Sequence, residues 1–158
     1  MYRVINIGGN DYKLEYSIEA SLYADCTESL MGFIANIADG TKDGEKDFKK
    51  LISSIANIPL TALTFFYAGL MEHHGVDGDG TVTSISDAKH LIKQYISEHS
   101  EDDTGNFYEV ISICYKQMEN DNFFDLIGLS NMVKKQTPVP QDHKKKAAVK
   151  KKEEPTES

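Results

Sequence analysis

The chain has 158 residues, of which 40% are hydrophobic, and this length suits one compact domain but not two of ordinary size. Its net charge of −8 is unevenly divided, because residues 134–158 carry +4 and residues 1–133 carry −12. Such an acidic body repels phosphate backbones, which argues against nucleic-acid binding by the folded part. The N-terminus lacks a signal peptide, and no stretch approaches the roughly 18 apolar residues of a membrane span, so we expect a cytoplasmic protein without membrane contact.

The N-terminal segment predicts a β-hairpin. Residues 2–7 alternate between two faces, and in the next run Tyr12, Leu14 and Tyr16 share one face. The Gly-Gly-Asn sequence between the two runs suits a tight turn. Because an isolated hairpin is marginal in water, its apolar face must pack on another element.

Helical periodicity follows the hairpin. Ser17 can cap a first helix, whose apolar stripe continues for roughly five turns to Ile37. A charged, glycine-containing loop is expected over residues 39–47, and a short second helix over residues 48–55. Pro59 is expected to end that helix and to lie in the first turn of the third. The third helix, up to His74, is apolar nearly all round, which is typical of a domain centre or of an interface with another chain.

Two further helices and a tail complete the chain. Ser84 and Asp87 form a capping signature for the fourth helix, Phe107 opens the fifth, and a short helical turn follows near Phe123. Residues 134–158 contain eight lysines and three prolines but few apolar side chains, so they cannot offset the entropy of ordering. We therefore expect a mainly α fold, with an N-terminal hairpin packed on a bundle of about five helices. The folded domain spans residues 1–133, and a disordered basic tail spans residues 134–158.

The segment "HGVDGDGTVTS", residues 74–84, raises the question of a calcium loop. With Gly80 at the sixth loop position, Asp77 and Asp79 fall at the third and fifth positions. The first and last ligand positions, however, hold Gly75 and Ser86 instead of carboxylates. The same residues serve as a polar turn, which is the interpretation we favour, and a metal site at Asp77 and Asp79 stays an alternative.

Other candidates for chemistry are weak. His73 and His74 are expected at a solvated helix end, where histidine suits the helix dipole. Cys26 and Cys114 lie in apolar segments without metal-like spacing, so we expect buried, reduced thiols. Because neither a nucleophile motif nor a phosphate loop is present, the sequence indicates no enzyme and no cofactor.

The layout of residues 1–128 resembles that of a known family. It comprises the opening "VINIGGNDYKLEYSIEA", the central "NIPLTALTFFYAGL" and the capped "SISDAKHLIKQYI". In this order the segments are similar to the tail assembly chaperones of long-tailed bacteriophages of Gram-positive hosts and of related prophages. The "DGDG" stretch departs from the family pattern.

This resemblance implies a binding protein. Family members coat the tape-measure protein, keep it soluble, recruit tail-tube subunits in the host cytoplasm, and are absent from the mature virion. A longer form arises in the family by ribosomal frameshifting, and the two Lys-Lys-Lys runs of the tail could be encoded by slippery adenine runs. A homo-oligomer stays open. The alternatives are a small cytoplasmic calcium- or metal-responsive adaptor and a structural tail or head-completion protein.

Two groups of residues are candidates for partner binding. Flexible and aromatic apolar side chains of the third helix suit a client helix, although the same residues could form the core. They are Phe65, Phe66, Leu70 and Met71. The lysines of the tail could hold an acidic partner through charge, as the run Lys144, Lys145 and Lys146 illustrates.

Overall fold

The computed structural model describes the backbone of residues 1–39 and 48–131, and the side chains of residues 1–36 and 57–131. The order of elements is a hairpin followed by helices. The strands are β1 (Arg3–Ile7) and β2 (Asn10–Leu14), and the helices are α1 (Ile18–Leu22), α2 (Ala24–Asp39), α3 (Phe48–His74), α4 (Ile85–Glu98), α5 (Phe107–Asn120) and α6 (Phe123–Leu126). The predicted fold class, a hairpin packed on a helical bundle, is confirmed.

The hairpin forms as the alternation predicts. Strand β1 pairs antiparallel with β2, and Ile7 lies opposite Asn10. Gly8 and Gly9 connect them with φ angles of 61° and 80°, which is the backbone of a type I′ turn and requires glycine-like freedom. A face of buried side chains, formed by Ile5, Ile7, Leu14 and Tyr16, packs on the helices.

Helix α3 is the centre of the fold. It packs against α1, α2, α4, α5 and β2, which explains why its sequence is apolar nearly all round. The largest fully buried side chains of the core include residues of the hairpin, of the segment just after it, and of the helices α2, α3, α5 and α6: Leu14, Tyr16, Cys26, Leu30, Phe65, Leu70, Cys114, Met118 and Phe123. Of the two roles left open for this helix, the packing supports the domain centre.

Two predicted helix boundaries are wrong. The first helix divides at Tyr23, where the backbone leaves the helical region with ψ of 96° and the ring packs edge-on against Tyr67 of α3. Conversely, Pro59 does not separate two helices, because α3 runs continuously from Phe48 to His74. Pro59 is exposed, and the helix continues through it with one backbone hydrogen-bond donor missing.

The predicted caps are confirmed. Ser17 accepts a hydrogen bond from the backbone N–H of Glu19 at the start of α1. Ser84 and Asp87 form a reciprocal capping box at the start of α4. The hydroxyl of Ser84 and the backbone N–H of Thr83 donate to the Asp87 carboxylate, and they lower its pKa below the ordinary 3.8.

Residues Met1–Ile127 group into one compact unit, and Gly128–Ser158 are grouped separately. The predicted domain boundary at residue 133, the tail and most of the loop expected at 39–47 lie outside the described residues. In the part of the chain that the structure describes, no helix combines the length and the apolar character needed to cross a bilayer.

Candidate functional site

The apolar residues expected to contact a client lie on α3, and three of them are inside the core. Phe65 and Leu70 are fully buried and Phe66 is 3% exposed, whereas Met71 is partly buried. The backbone carbonyl of Phe65 also accepts a hydrogen bond of 2.7 Å from the hydroxyl of Tyr16. The burial therefore favours the core interpretation for Phe65, Phe66 and Leu70.

The Asp-Gly loop, residues 75–83, is held closed by its own side chains. The carboxylate of Asp79 accepts hydrogen bonds from the hydroxyl and the backbone N–H of Thr81, at 2.6 and 2.9 Å. These donors, the hydroxyl first, keep the pKa of Asp79 below its ordinary value. The carboxylate that would be a metal ligand is thus engaged within the turn, as Asp residues in tight turns commonly are.

The other candidate ligand of the loop, Asp77, is exposed. Within residues 1–36 and 57–131, no three His, Cys, Asp or Glu side chains come together as a metal site would require. The geometry therefore supports a polar turn at residues 75–83.

His74 joins this loop to the hairpin. The residue is 6% exposed, and its Nε2 accepts a hydrogen bond of 2.8 Å from the backbone N–H of Lys13 in β2. Its Nδ1 lies 2.9 Å from the carboxylate of Asp79. An imidazole nitrogen that accepts a hydrogen bond carries no hydrogen, so the neutral tautomer with hydrogen on Nδ1 satisfies both bonds.

The expectation that both histidines occupy a solvated helix end is wrong for His74. Its neighbour His73 keeps a side chain that is 26% exposed, and its Nε2 lies 2.6 Å from the carboxylate of Glu15. This contact lowers the pKa of Glu15. His74 is buried where it accepts the outward N–H of Lys13 in β2, and no spacing in the sequence indicates a contact between residues so far apart.

A second polar cluster that the sequence does not reveal surrounds Asp121. Its side chain is 3% exposed and accepts hydrogen bonds from the backbone N–H of Tyr16 at 2.8 Å and from Gln117 at 2.9 Å. The ammonium group of Met1 lies 3.3 Å from the same carboxylate. This cluster ties the end of α5 to both ends of the hairpin, so its role is structural. Only the spacing of Gln117 and Asp121, one helical turn apart, could have suggested it.

The two cysteines are free and fully buried, as the sequence predicts. Burial raises the pKa of Cys26 and of Cys114 to about 12. At neutral pH both thiols therefore stay protonated, and a protonated, inaccessible thiol is neither a nucleophile nor a metal ligand.

Exposed apolar side chains lie on the short helices α1 and α6. Ile18 and Leu22, one turn apart on α1, are 62% and 73% exposed, and Leu126 on α6 is 48% exposed. Helices α1 and α6 contact each other, so the three side chains lie on neighbouring elements. We call this set the α1–α6 apolar surface. Large exposed apolar side chains on neighbouring helices are candidates for contact with another protein.

The tail lysines Lys144, Lys145 and Lys146 lie outside the described residues. No protein-family model, no curated protein and no solved structure matches this chain. The chemistry of the chain's own residues and the resemblance in layout are therefore the grounds on which a function can be proposed.

Proposed function

We propose that this protein is a phage tail assembly chaperone that binds the tape-measure protein in the host cytoplasm. In this role it keeps the client soluble, helps recruit tail-tube subunits and leaves before the virion is complete. The observation that carries the proposal is the α1–α6 apolar surface on an otherwise strongly acidic body. This surface supports the binding role that the resemblance implies, because it offers an apolar contact for a client helix. The acidic remainder would keep the coated complex in solution.

The size of this surface has a consequence for the mechanism. Burying the exposed parts of Ile18, Leu22 and Leu126 would contribute roughly 3–5 kcal/mol in total, before the cost of association is subtracted. A single copy would therefore bind weakly. A long client that repeats its apolar stripe would be covered by many copies, each held by a small contact.

The first test is co-expression with the product of the longest helical reading frame near its gene, the candidate tape-measure protein. We expect the soluble fraction of that client to rise when the chaperone is present. The double variant Ile18→Gln/Leu22→Gln should lose most of this effect, because glutamine preserves helix propensity and removes the apolar contact.

A matched control comes from α3, where Leu60 is 61% exposed, close to the 62% of Ile18. Leu60→Gln makes the same chemical change outside the α1–α6 apolar surface and should leave client solubility unchanged. Equal loss in both variants, or no rise in solubility with the unmodified protein, would contradict the proposal. Retention of the protein in purified mature virions, measured by mass spectrometry, would instead support a structural virion component.

A further inference from the structure

The segments that form and flank the α1–α6 apolar surface are rich in carboxylates. Residues 17–36 and 119–131 contain six acidic residues and no lysine, arginine or histidine. The six are Glu19, Asp25, Glu28, Glu119, Asp121 and Asp125. Glu72 of α3 adds a further carboxylate at the start of α1, where it accepts a hydrogen bond from the hydroxyl of Ser17.

Two of these carboxylates lie directly beside the exposed apolar side chains. Glu19 follows Ile18 on α1, and Asp125 precedes Leu126 on α6. Because adjacent helical residues project about 100° apart, each carboxylate borders the apolar stripe of its helix and does not interrupt it. Glu19 is partly exposed and Asp125 is exposed, so both can contact a bound partner.

The neighbouring cations of the described chain are engaged or directed elsewhere. The ammonium group of Met1 lies 3.3 Å from Asp121, which is the one member of the six that forms a salt bridge among the described residues. On α5, Tyr115 is the residue that faces α6, since its ring centre lies 5.2 Å from that of Phe124. Lys116, the next residue, projects about 100° away from Tyr115. The surface therefore combines exposed apolar groups with negative charge.

This combination fits one class of partner. A cationic amphipathic helix would bring apolar side chains to Ile18, Leu22 and Leu126, and the lysines or arginines that flank its stripe would meet the carboxylates. An anionic helix or an anionic lipid surface would be repelled at the same place. A second copy of this chain is a poor occupant for the same reason, because it brings the same carboxylates.

We propose that the α1–α6 apolar surface binds helices whose apolar stripe is flanked by lysine or arginine. This inference rests on the proposed function, because it specifies the chemistry of the client at the same surface. The apolar contact holds the helix, and the carboxylates select which helices are held and speed their association.

The probes are two amphipathic peptides that differ only in charge. One consists of three repeats of Leu-Ala-Gln-Leu-Lys-Gln-Lys, in which the lysines flank a stripe of leucines, and the other has glutamate in place of every lysine. Each peptide is titrated into the full chain, and the NMR shifts of the backbone amides of α1 and α6 report binding. Contact of a peptide with the lysines of residues 134–158 is thus not counted.

We expect the lysine peptide to bind about tenfold more tightly than the glutamate peptide at about 0.1 M salt. The difference should disappear near 1 M salt, where the Debye length falls to about 3 Å. A purely apolar contact would instead show no preference between the peptides at either salt concentration.

Two double variants locate the charges. Glu19→Gln/Asp125→Asn removes two carboxylates beside the apolar stripe and should weaken binding of the lysine peptide about two- to tenfold. Glu101→Gln/Asp103→Asn, the matched control, removes the same charge from the exposed loop before α5 and should bind like the unmodified protein. The 14 residues of α5 separate this loop from α6 by about 21 Å, twice the Debye length of about 10 Å at 0.1 M salt.

Equal affinity for the two peptides, or equal weakening in the two double variants, would overturn the inference. Shifts in α1 and α6 that depend on protein concentration without peptide would assign the surface to a second copy and would also overturn it. If both peptides bind equally and Ile18→Gln/Leu22→Gln binds neither, charge selection fails while the apolar contact of the proposed function stands. The co-expression experiment tests that function separately.

Discussion

Replacing His74 by phenylalanine tests whether this ring joins the hairpin to α3. The substitution keeps an aromatic ring of similar shape but removes both nitrogens. The backbone N–H of Lys13, now 2.8 Å from Nε2, loses its acceptor. A donor left unpaired in a partly buried place costs about 1–3 kcal/mol. Loss of the contact with the exposed carboxylate of Asp79 adds about 0.5–1 kcal/mol, since water can replace it. We expect the free energy of unfolding to fall by about 1.5–4 kcal/mol.

The neighbouring histidine is the matched control for this substitution. His73 contacts Glu15 at 2.6 Å, but both side chains are about one quarter exposed, at 26% and 25%. Such pairs contribute about 0–1 kcal/mol, so His73→Phe should lower the free energy of unfolding by that amount or less.

Urea denaturation followed by circular dichroism measures both variants, and hydrogen exchange should show faster exchange of the Lys13 amide in His74→Phe only. Equal losses of stability in the two variants, or an unchanged Lys13 exchange rate, would refute the reasoning.

Three further predictions follow from local geometry. The lowered pKa of Asp87 means that the folded protein binds fewer protons than the unfolded chain around pH 3.8 and below. The stabilisation is complete above pH 3.8 and is lost as the pH falls through the folded pKa. In urea titrations at a series of pH values, the free energy of unfolding of Asp87→Asn should therefore fall less steeply with decreasing pH than that of the unmodified protein. Cys26 and Cys114 should react with a thiol reagent only after denaturation, because both are fully buried; labelling in native buffer would contradict this. Gly8→Ala should lower the melting temperature more than Gly9→Ala. Both glycines have positive φ, but a Cβ at Gly8 would displace the side chain of Gln94 in α4, whereas Gly9 faces open space.

Local rules determined the hairpin and the caps. The Gly8–Gly9 turn and the alternation around it specify two strands, because a type I′ turn requires positive φ at both central residues. The Ser84 capping box likewise depends on residues only three positions apart. In both cases the interacting groups are neighbours along the chain, so their chemistry can be read from the sequence.

Helix boundaries were decided by the tertiary structure. The apolar stripe that begins at Ile18 continues past Tyr23 without interruption, yet the chain bends there and the ring meets Tyr67. At Pro59 the reverse holds, because the helix continues through a residue that lacks a backbone N–H donor. A helical period describes which residues share a face but contains no information about which packing partner interrupts it.

The same limit applies to the functional surfaces. The sequence predicted an apolar central helix but could not decide whether Phe65 and Phe66 fill a core or face a partner, since both roles require the same residue types. The burial of His74 arises because α3 lies along β2. Contacts between residues some 60 positions apart depend on how the elements pack, and only the folded chain brings them together.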